Sequence, residues 1–319
     1  MSIKPLSDFG IWNHMTASPL PCPSSHFYTS LRTRLHYVDW GNRSAPTIIL
    51  LHGALDHARS WDWTASVLAR DYHVIAPDLR GHGDSAWSRQ GSYLTADFVY
   101  DLAQLVDQIG RDKVTLVGHS LGGAVVLRYA GLFPGRVERV VAIEGLGLSP
   151  DRLKEKAALS APDQWGEWIA KRQISARRLP RHYATIEAAV GRMRERNDHL
   201  SAERALHLTS HGVNRNEDGS YGWKFDPDLR IQPPENASEV ELPQFWARIT
   251  CPVLLCLGLD SWASNPVEDG RIDHFKDARL VEFADAGHWL HHDQFDRFIS
   301  ELGNFLNYEG STQIAQPLR

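Results

Sequence analysis

The sequence predicts an α/β protein whose sheet is mostly parallel and covered by helices. Three observations lead to this prediction: short apolar runs alternate with helical patterns, a glycine-flanked serine lies between a strand and a helix, and residues 149–246 interrupt the alternation. Alternation of this kind is typical of parallel sheets, because each parallel strand pair needs a long crossover connection. The length of 319 residues fits one core with a large insertion better than two independent domains.

The predicted elements follow one another closely from about residue 31 to residue 306. Apolar or alternating segments predict strands at residues 31–40, 48–51, 74–77, 113–117, 136–143, 252–257 and 279–283. Helical patterns are found at residues 61–69, 95–109, 121–130 and 295–306. The last helix should bury a face made of Phe295, Phe298, Ile299, Leu302, Phe305 and Leu306.

The helix predicted at residues 95–109 has the clearest pattern. Its apolar residues Phe98, Leu102, Leu105 and Ile109 recur at spacings of 4, 3 and 4, so they form one stripe on a helix surface. Thr95 is suited to cap the beginning of this helix, and Gly110 is suited to end it.

Residues 149–246, which we call the inserted segment, lack the strand–helix alternation. Up to about Leu208 their composition favours helices, and residues 216–220 (NEDGS) predict a turn. The arginines at 192, 194 and 196 are interpreted as a solvated helix face.

Composition excludes several classes of function. The formal net charge is −5 and the chain has no basic run, so nothing in its charge favours binding to nucleic acid or to an anionic membrane. No apolar stretch approaches the roughly 20 residues of a membrane-spanning helix. Composition therefore predicts neither a nucleic-acid partner nor a membrane span, and the oligomeric state is not predicted.

The chain has three cysteines, at positions 22, 251 and 256, and their number indicates the redox state of the cellular compartment. An odd count argues against a disulfide framework and favours a reducing environment. The first 25 residues contain several prolines and lack the continuous apolar core of a secretion signal. We therefore expect a cytoplasmic protein.

A nucleophilic serine is predicted at position 120, within the segment Gly118-His119-Ser120-Leu121-Gly122. A serine on a sharp turn between strand and helix is held in a strained conformation with its hydroxyl exposed. The two glycines remove Cβ atoms that would collide in such a turn. The helix that follows directs backbone N–H groups at the space over the serine, which favours developing negative charge.

Four segments in this order give the chain a resemblance to the α/β-hydrolase superfamily: residues 48–53 (IILLHG), 74–85 (VIAPDLRGHGDS), 118–123 (GHSLGG) and 284–289 (ADAGHW). The resemblance extends over roughly residues 28–307. It implies an eight-stranded, mostly parallel sheet in a core of residues 1–148 and 247–319. It also implies that the inserted segment at 149–246 is a helical cap over the active site, and that no cofactor is needed.

The predicted base is His288, which follows the last strand and so lies on the same sheet edge as Ser120. The acid that orients it remains open between two residues. Relatives usually carry an aspartate at the position of Ser261, and Asp260 is one residue short of it. Other relatives place the acid after the strand that follows the nucleophile helix, where this chain has Glu144. We favour Glu144 and keep Asp260 as the alternative.

By resemblance, the backbone N–H groups of Leu121 and Ala54 form the oxyanion hole. His52 is expected to orient its own loop, and Asp78, Arg80 and Asp84 are expected to tie loops together without a role in the chemistry.

Three aromatic residues near the predicted triad are expected to contact substrate: Trp61, His119 and Trp289. Eleven tryptophans in the chain favour an apolar or aromatic substrate. No metal site is predicted, and the adjacent His291 and His292 are expected to be exposed polar residues at a helix start.

These observations predict a cofactor-independent serine hydrolase that cleaves a small apolar ester, or a related acyl compound, through an acyl-enzyme. A serine at the nucleophile position argues against epoxide hydrolase and haloalkane dehalogenase chemistry, for which the same scaffold carries an aspartate. Alternatives on the same site are acyl transfer and the hydrolysis of thioesters, lactones or carbon–carbon bonds. A ligand receptor of the same fold with slow turnover is a further alternative, and the identity of the substrate is not predicted.

Overall fold

The computed structural model describes residues 23–91, 93–178, 180–195, 197–234 and 241–307. The predictions for the first 22 residues, Arg196 and the residues after 307 lie outside these ranges. In chain order the strands are β1 Ser24–Ser30, β2 Thr33–Asp39, β3 Thr47–Leu51, β4 His73–Pro77, β5 Val114–His119, β6 Val137–Ile143, β7 His182–Tyr183, β8 Val213–Arg215, β9 Tyr221–Trp223, β10 Val253–Gly258 and β11 Ala278–Phe283.

The α-helices of the described ranges are α1 Asp62–Leu68, α2 Thr95–Gln108, α3 Leu121–Leu132, α4 Pro150–Ala157, α5 Ala161–Ala176, α6 Ile186–Arg194, α7 Ala202–Gly212, α8 Leu242–Trp246, α9 Leu290–Asp293 and α10 Phe295–Leu306. Within these ranges, no helix combines the length and the apolar character needed to cross a bilayer.

An eight-stranded sheet in the order β1-β2-β4-β3-β5-β6-β10-β11 forms the centre of the molecule. The pairs β1–β2 and β2–β4 are antiparallel and the other five pairs are parallel. This confirms the predicted α/β fold with a mostly parallel, eight-stranded sheet flanked by helices.

The predicted strand at residues 31–40 begins two residues before the observed strand β2. Its first two residues belong to a hairpin turn that the sequence analysis did not predict. Leu31 and Arg32 both have positive φ, of 45° and 62°, and form the turn between β1 and β2. Neither is a glycine or an asparagine, so the turn has no local signal in the sequence.

The central strands are apolar throughout because helices cover both faces of the sheet. Every residue of β3 is buried, and its side chains point alternately to the two faces. Ile49 and Leu51 pack with α2 and α3, whereas Ile48 and Leu50 pack with α1 and α10. Helix α10 buries Phe298, Leu302, Phe305 and Leu306 on the second face, as its sequence pattern predicts.

Helix α2 confirms the predicted apolar stripe but differs from the prediction at its beginning. Thr95 is the first helical residue, and the capping position is occupied by Leu94, which makes no side-chain capping bond. Gly110, with φ of 66°, follows the end of the helix as predicted.

The inserted segment contains α4 to α7, as its composition predicts, and α8 at its end. It also contains a small sheet in the order β7-β9-β8. The residues at 216–220 connect β8 to β9 and so form the predicted turn. Sequence periodicity could not reveal these strands, since they are two or three residues long.

Asp78 ties together the loops beneath the sheet edge, as predicted. Its buried carboxylate accepts hydrogen bonds from His36 Nδ1 at 2.7 Å, Ala58 N at 2.7 Å and Asp84 N at 2.9 Å. Burial alone would raise the pKa of Asp78, but the bond from His36 and the nearby imidazoles hold this pKa below its usual range. Arg80, also buried, donates two bonds of 2.6 Å to Asp101.

We expect Asp78→Ala to lower the free energy of unfolding by about 3–5 kcal/mol, because it leaves His36 and two backbone N–H groups without their acceptor. Urea denaturation measures this change. Asp84→Ala is the matched control, since the Asp84 side chain is 49% exposed and its ion pair with Lys224 contributes less than about 1 kcal/mol. Equal losses in the two variants would contradict the role assigned to Asp78.

Candidate active site

The turn at Ser120 connects β5 to α3. Ser120 has φ of 51° and ψ of −113°, a conformation that costs free energy in a residue with a Cβ atom. A Cβ on Gly118 would lie 2.4 Å from the carbonyl oxygen of Gly122, and one on Gly122 would lie 2.4 Å from that of Leu51. Only glycine fits at these two positions, and Ser120 itself is partly exposed.

Sheet register brings Ser120 and Glu144 to the same edge. His119 at the end of β5 pairs with Ile143 at the end of β6, so the next residue of each strand leaves the sheet at the same level. Ser120 N donates to Ile143 O at 2.8 Å, and Glu144 N donates to Cys256 O at 3.1 Å. Glu144 also has positive φ, of 49°. Two strained residues thus stand side by side, as is common at functional sites.

The imidazole of His288 is held by Glu144. His288 lies between β11 and α9, and its Nδ1–H donates a hydrogen bond to Glu144 Oε2. The Glu144 side chain is fully buried, whereas that of His288 is 25% exposed. Because Nδ1 carries the proton shared with Glu144, Nε2 is left as the basic nitrogen.

Glu144 is itself fixed by two further donors. Its Oε1 accepts a bond of 3.0 Å from Gly258 N, and its Oε2 accepts one of 2.6 Å from Ser261 Oγ. Ser261 occupies the position at which the family usually carries its acid, and here it orients the acid on the neighbouring strand. Sequence reasoning identified Ser261 only as a departure from the family pattern and missed this role.

Asp260 is placed differently. Its side chain is exposed, and its backbone N–H donates to Ala286 O at 2.9 Å. Among the described residues, no hydrogen bond joins its carboxylate to His288. The structure therefore brings Glu144, and not Asp260, together with the imidazole.

Two of the three aromatic residues predicted to contact substrate are buried, so that prediction is wrong for them. Trp61 has no exposed surface and stacks on His291 with ring centroids 4.8 Å apart. His119 is 1% exposed, and its Nε2 donates to the carbonyl oxygen of His288 at 2.9 Å. His119 thus fixes the backbone of the His288 loop. Trp289 is partly exposed beside His288, and its substrate contact stays a prediction.

The expectation that His291 and His292 are exposed is also wrong. Helix α9 begins at Leu290 and turns both imidazoles inward, where they are 1% and 5% exposed. Burial, and then the charge of His292, lowers the pKa of His291. Burial, and then the charge of Arg204, lowers the pKa of His292 to about 3. Trp61 and Trp63 pack against the pair, which explains why two neutral rings fit there.

The backbone at Gly53, which precedes the predicted oxyanion donor Ala54, lies close to the serine. A Cβ on Gly53 would lie 3.3 Å from Ser120 Cβ, so the backbone leading into Ala54 passes over the nucleophile. Leu121 is the first residue of α3, and the N–H groups of a first helical turn have no partner inside the helix. His52 orients this loop as predicted, since its Nδ1 donates to Gly53 O at 2.7 Å and its Nε2 accepts from Leu79 N at 2.9 Å.

A groove of about 600 Å³ opens beside His288. Trp262, which sequence reasoning missed, forms one wall, and its ring centroid is 5.2 Å from that of His288. Helix α4 and the chain before it form the opposite wall. The lining is both apolar and charged, with Leu148, Ser149, Arg152, Glu155, Lys156, Leu159, Trp262 and Ser264.

Fold and site together define an α/β protein with a strained serine on a strand–helix turn and a carboxylate–imidazole pair at the same sheet edge. The family model described as the alpha/beta hydrolase fold matches residues 46–295. The chain belongs to this family.

Comparison with known proteins adds more specific likenesses. The chain is 30% identical over 213 residues to lipase LipV of Mycobacterium tuberculosis, which is 66% of this chain and 74% of LipV. It is 38% identical over 108 residues to an uncharacterised protein of the same organism, but this match covers only 34% of the chain and 31% of that protein. Family and relatives support hydrolase activity.

Among solved structures, the thioesterase domain from the curacin biosynthetic pathway superimposes with a TM-score of 0.75. The match covers 89% of this chain and 99% of that domain. At 23% sequence identity, this likeness shows a shared fold.

The buried histidines predict how stability depends on pH. Burial, followed by neighbouring imidazole or arginine charges, lowers the pKa to about 3 for His82 and His292 and to about 4 for His211. Above about pH 6.5 these imidazoles are neutral in the folded and in the unfolded state. Below about pH 6.5 they bind protons in the unfolded state but stay neutral in the folded state. The free energy of unfolding should therefore fall by up to about 1.4 kcal/mol per pH unit for each such group as the pH drops.

Urea denaturation between about pH 7 and pH 5 tests this dependence. We expect His292→Gln to flatten the slope of stability against pH relative to the parent protein. His182→Gln is the control, because His182 is exposed and should leave the slope unchanged. Equal slopes in all three proteins would contradict the prediction.

Proposed function

We propose that this protein is a cofactor-independent serine hydrolase that cleaves a small, largely apolar ester through an acyl-enzyme. The observation that carries the proposal is the buried Glu144 carboxylate bonded to His288 at the sheet edge where Ser120 sits on its strained turn. A nucleophile, a base and an acid that orients the base are the parts that acyl transfer by serine requires.

The reaction begins when Ser120 Oγ attacks the carbonyl carbon of the ester while His288 Nε2 removes its proton. The negative charge on the carbonyl oxygen is stabilised by the N–H groups of Leu121 and Ala54. His288 then gives the proton to the departing alcohol, which leaves the acyl group on Ser120. Water, deprotonated in turn by His288, releases the acid and restores the serine.

Glu144 stabilises the imidazolium that forms in both steps and keeps the proton on Nδ1. Its bonds from Gly258 and Ser261 fix the carboxylate before the reaction starts, so no reorganisation is needed when the charge develops. The same bonds argue for an enzyme over a slow receptor, since Ser261 at the usual acid position supports a complete triad.

The groove between Trp262 and α4 meets the site through Trp262, whose ring contacts His288, and its apolar side chains support a largely apolar ester. Leu148, Leu159 and Trp262 offer apolar surface for an acyl chain or a ring, and Arg152 and Lys156 lie at the same walls. Its volume of about 600 Å³ is in the range of small-molecule sites. The described cysteines, Cys251 and Cys256, are buried free thiols, which supports the proposed cytoplasmic location.

The nucleophile is tested with a fluorophosphonate probe and a panel of p-nitrophenyl esters of increasing acyl length. The parent protein should be labelled rapidly and should prefer one range of acyl lengths. Ser120→Ala should abolish labelling and lower kcat by on the order of 10⁶, since it removes the attacking group. Full labelling of Ser120→Ala, or none of the parent protein, would contradict the proposal.

The acid is tested by comparing Glu144→Gln with Asp260→Asn. Glu144→Gln should lower kcat by about 10⁴, because an amide does not stabilise the imidazolium and favours the wrong tautomer. Asp260→Asn, at an exposed side chain, is the matched control and should keep the activity of the parent. A parent-like Glu144→Gln would defeat the assignment.

A further inference from the structure

Two histidines of the inserted segment face an aspartate of the core. His207 and His211 lie one turn apart on α7, so their side chains share one face of this helix. Their ring centroids are 4.6 Å apart, and His207 Nε2 is 3.1 Å from Asp62 Oδ2 at the start of α1. One donor atom from each of the three residues lies within 4.8 Å of the other two.

These donors suit a divalent transition metal ion. Two imidazoles at an i, i+4 spacing and a carboxylate are ligand types that Zn²⁺, Ni²⁺ and Cu²⁺ accept. The carbonyl oxygen of Arg59 is 3.2 Å from His207 Nε2 and adds an oxygen on the same side. All three side chains are partly exposed, so an ion can reach them from solvent.

The carboxylate of Asp62 is held in place by a neighbouring side chain of the core. The guanidinium of Arg59 bonds Asp62 at 2.6 to 2.9 Å and orients its carboxylate, as outer partners of metal ligands commonly do. Among the described residues, no hydrogen bond engages the His211 ring.

A second cluster of similar composition does not share these properties. His36, Asp78 and Asp84 also bring their donor atoms together, but there both ring nitrogens of His36 are engaged, Nδ1 by Asp78 and Nε2 by Ser25 Oγ. That cluster is a structural network, whereas at Asp62 the His211 ring is free to coordinate.

We propose that Asp62, His207 and His211 bind one Zn²⁺ ion, or a chemically similar divalent ion, that fastens α7 to α1. The ion takes the place of the hydrogen bond between His207 Nε2 and Asp62 Oδ2. Because α7 belongs to the inserted segment and α1 to the core, the bound ion stabilises the contact between them. None of the three ligands belongs to the proposed triad or oxyanion hole.

The experiment is a titration of the untagged full-length chain, freed of metal by chelation, with ZnCl₂ by isothermal calorimetry. We expect one equivalent of Zn²⁺ to bind, and Tm to rise by several degrees with the metal. Co²⁺ in place of Zn²⁺ should give visible absorption bands from a site with nitrogen ligands. His211→Gln should weaken Zn²⁺ binding by more than about tenfold and remove the rise in Tm.

His182→Gln is the matched control, because it removes an exposed histidine from the same segment and should bind Zn²⁺ like the parent. His211→Gln is chosen over His207→Gln because it breaks no described hydrogen bond, so its folding without metal should match that of the parent. Equal Zn²⁺ binding by His211→Gln and the parent, or no binding by the parent, would overturn the proposal.

Discussion

The hydrogen bond between the buried carboxylate of Glu144 and the imidazole of His288 is the interaction on which the site depends. A charged carboxylate with no exposed surface is costly unless every lone pair has a donor. Here His288, Gly258 and Ser261 supply those donors. The cost of burying Glu144 is thereby offset, and the same bonds give the imidazole one orientation and one tautomer.

The parallel sheet explains how residues 144 positions apart meet. Strands β5, β6 and β10 are paired in register at their carboxyl ends, so the residues that follow them emerge at one level. Ser120 and Glu144 follow β5 and β6 there, and the N–H of Gly258, the last residue of β10, holds Glu144. Strain at Ser120 and Glu144 is tolerated because β5 and the last four residues of β6, which lead into them, are buried.

Histidines fill the region between the site and the inserted segment. His119, His291 and His292 form consecutive ring contacts of 4.7 and 4.3 Å, and His292 reaches Trp63, against which His207 packs at 4.5 Å. The depressed pKa values keep the buried rings of this series neutral at physiological pH. The series ends at α7, where the proposed metal ligands lie, so the core beneath His288 and the inserted segment form one packed unit.

Features that depend on neighbouring residues could be predicted from the sequence alone. Periodicity predicted the buried strands and the faces of α2 and α10, and the glycines around Ser120 predicted its turn, because the steric limits of that turn act within five residues. The position of His288 after the last strand followed from the same local order. The sequence analysis also predicted that Asp78 and Arg80 connect loops. It did not predict the residues to which they are hydrogen-bonded.

Only the tertiary structure decided which residues of distant segments touch. In the tertiary structure Glu144, and not Asp260, contacts His288. Ser261 and Trp262 lie beside that pair, and His119 is buried. The inward turn of His291 and His292 and the meeting of Asp62 with α7 likewise depend on how helices pack over the sheet. Local sequence does not distinguish a buried histidine from an exposed one. Whether a histidine is buried is determined by the free energy of packing between distant segments.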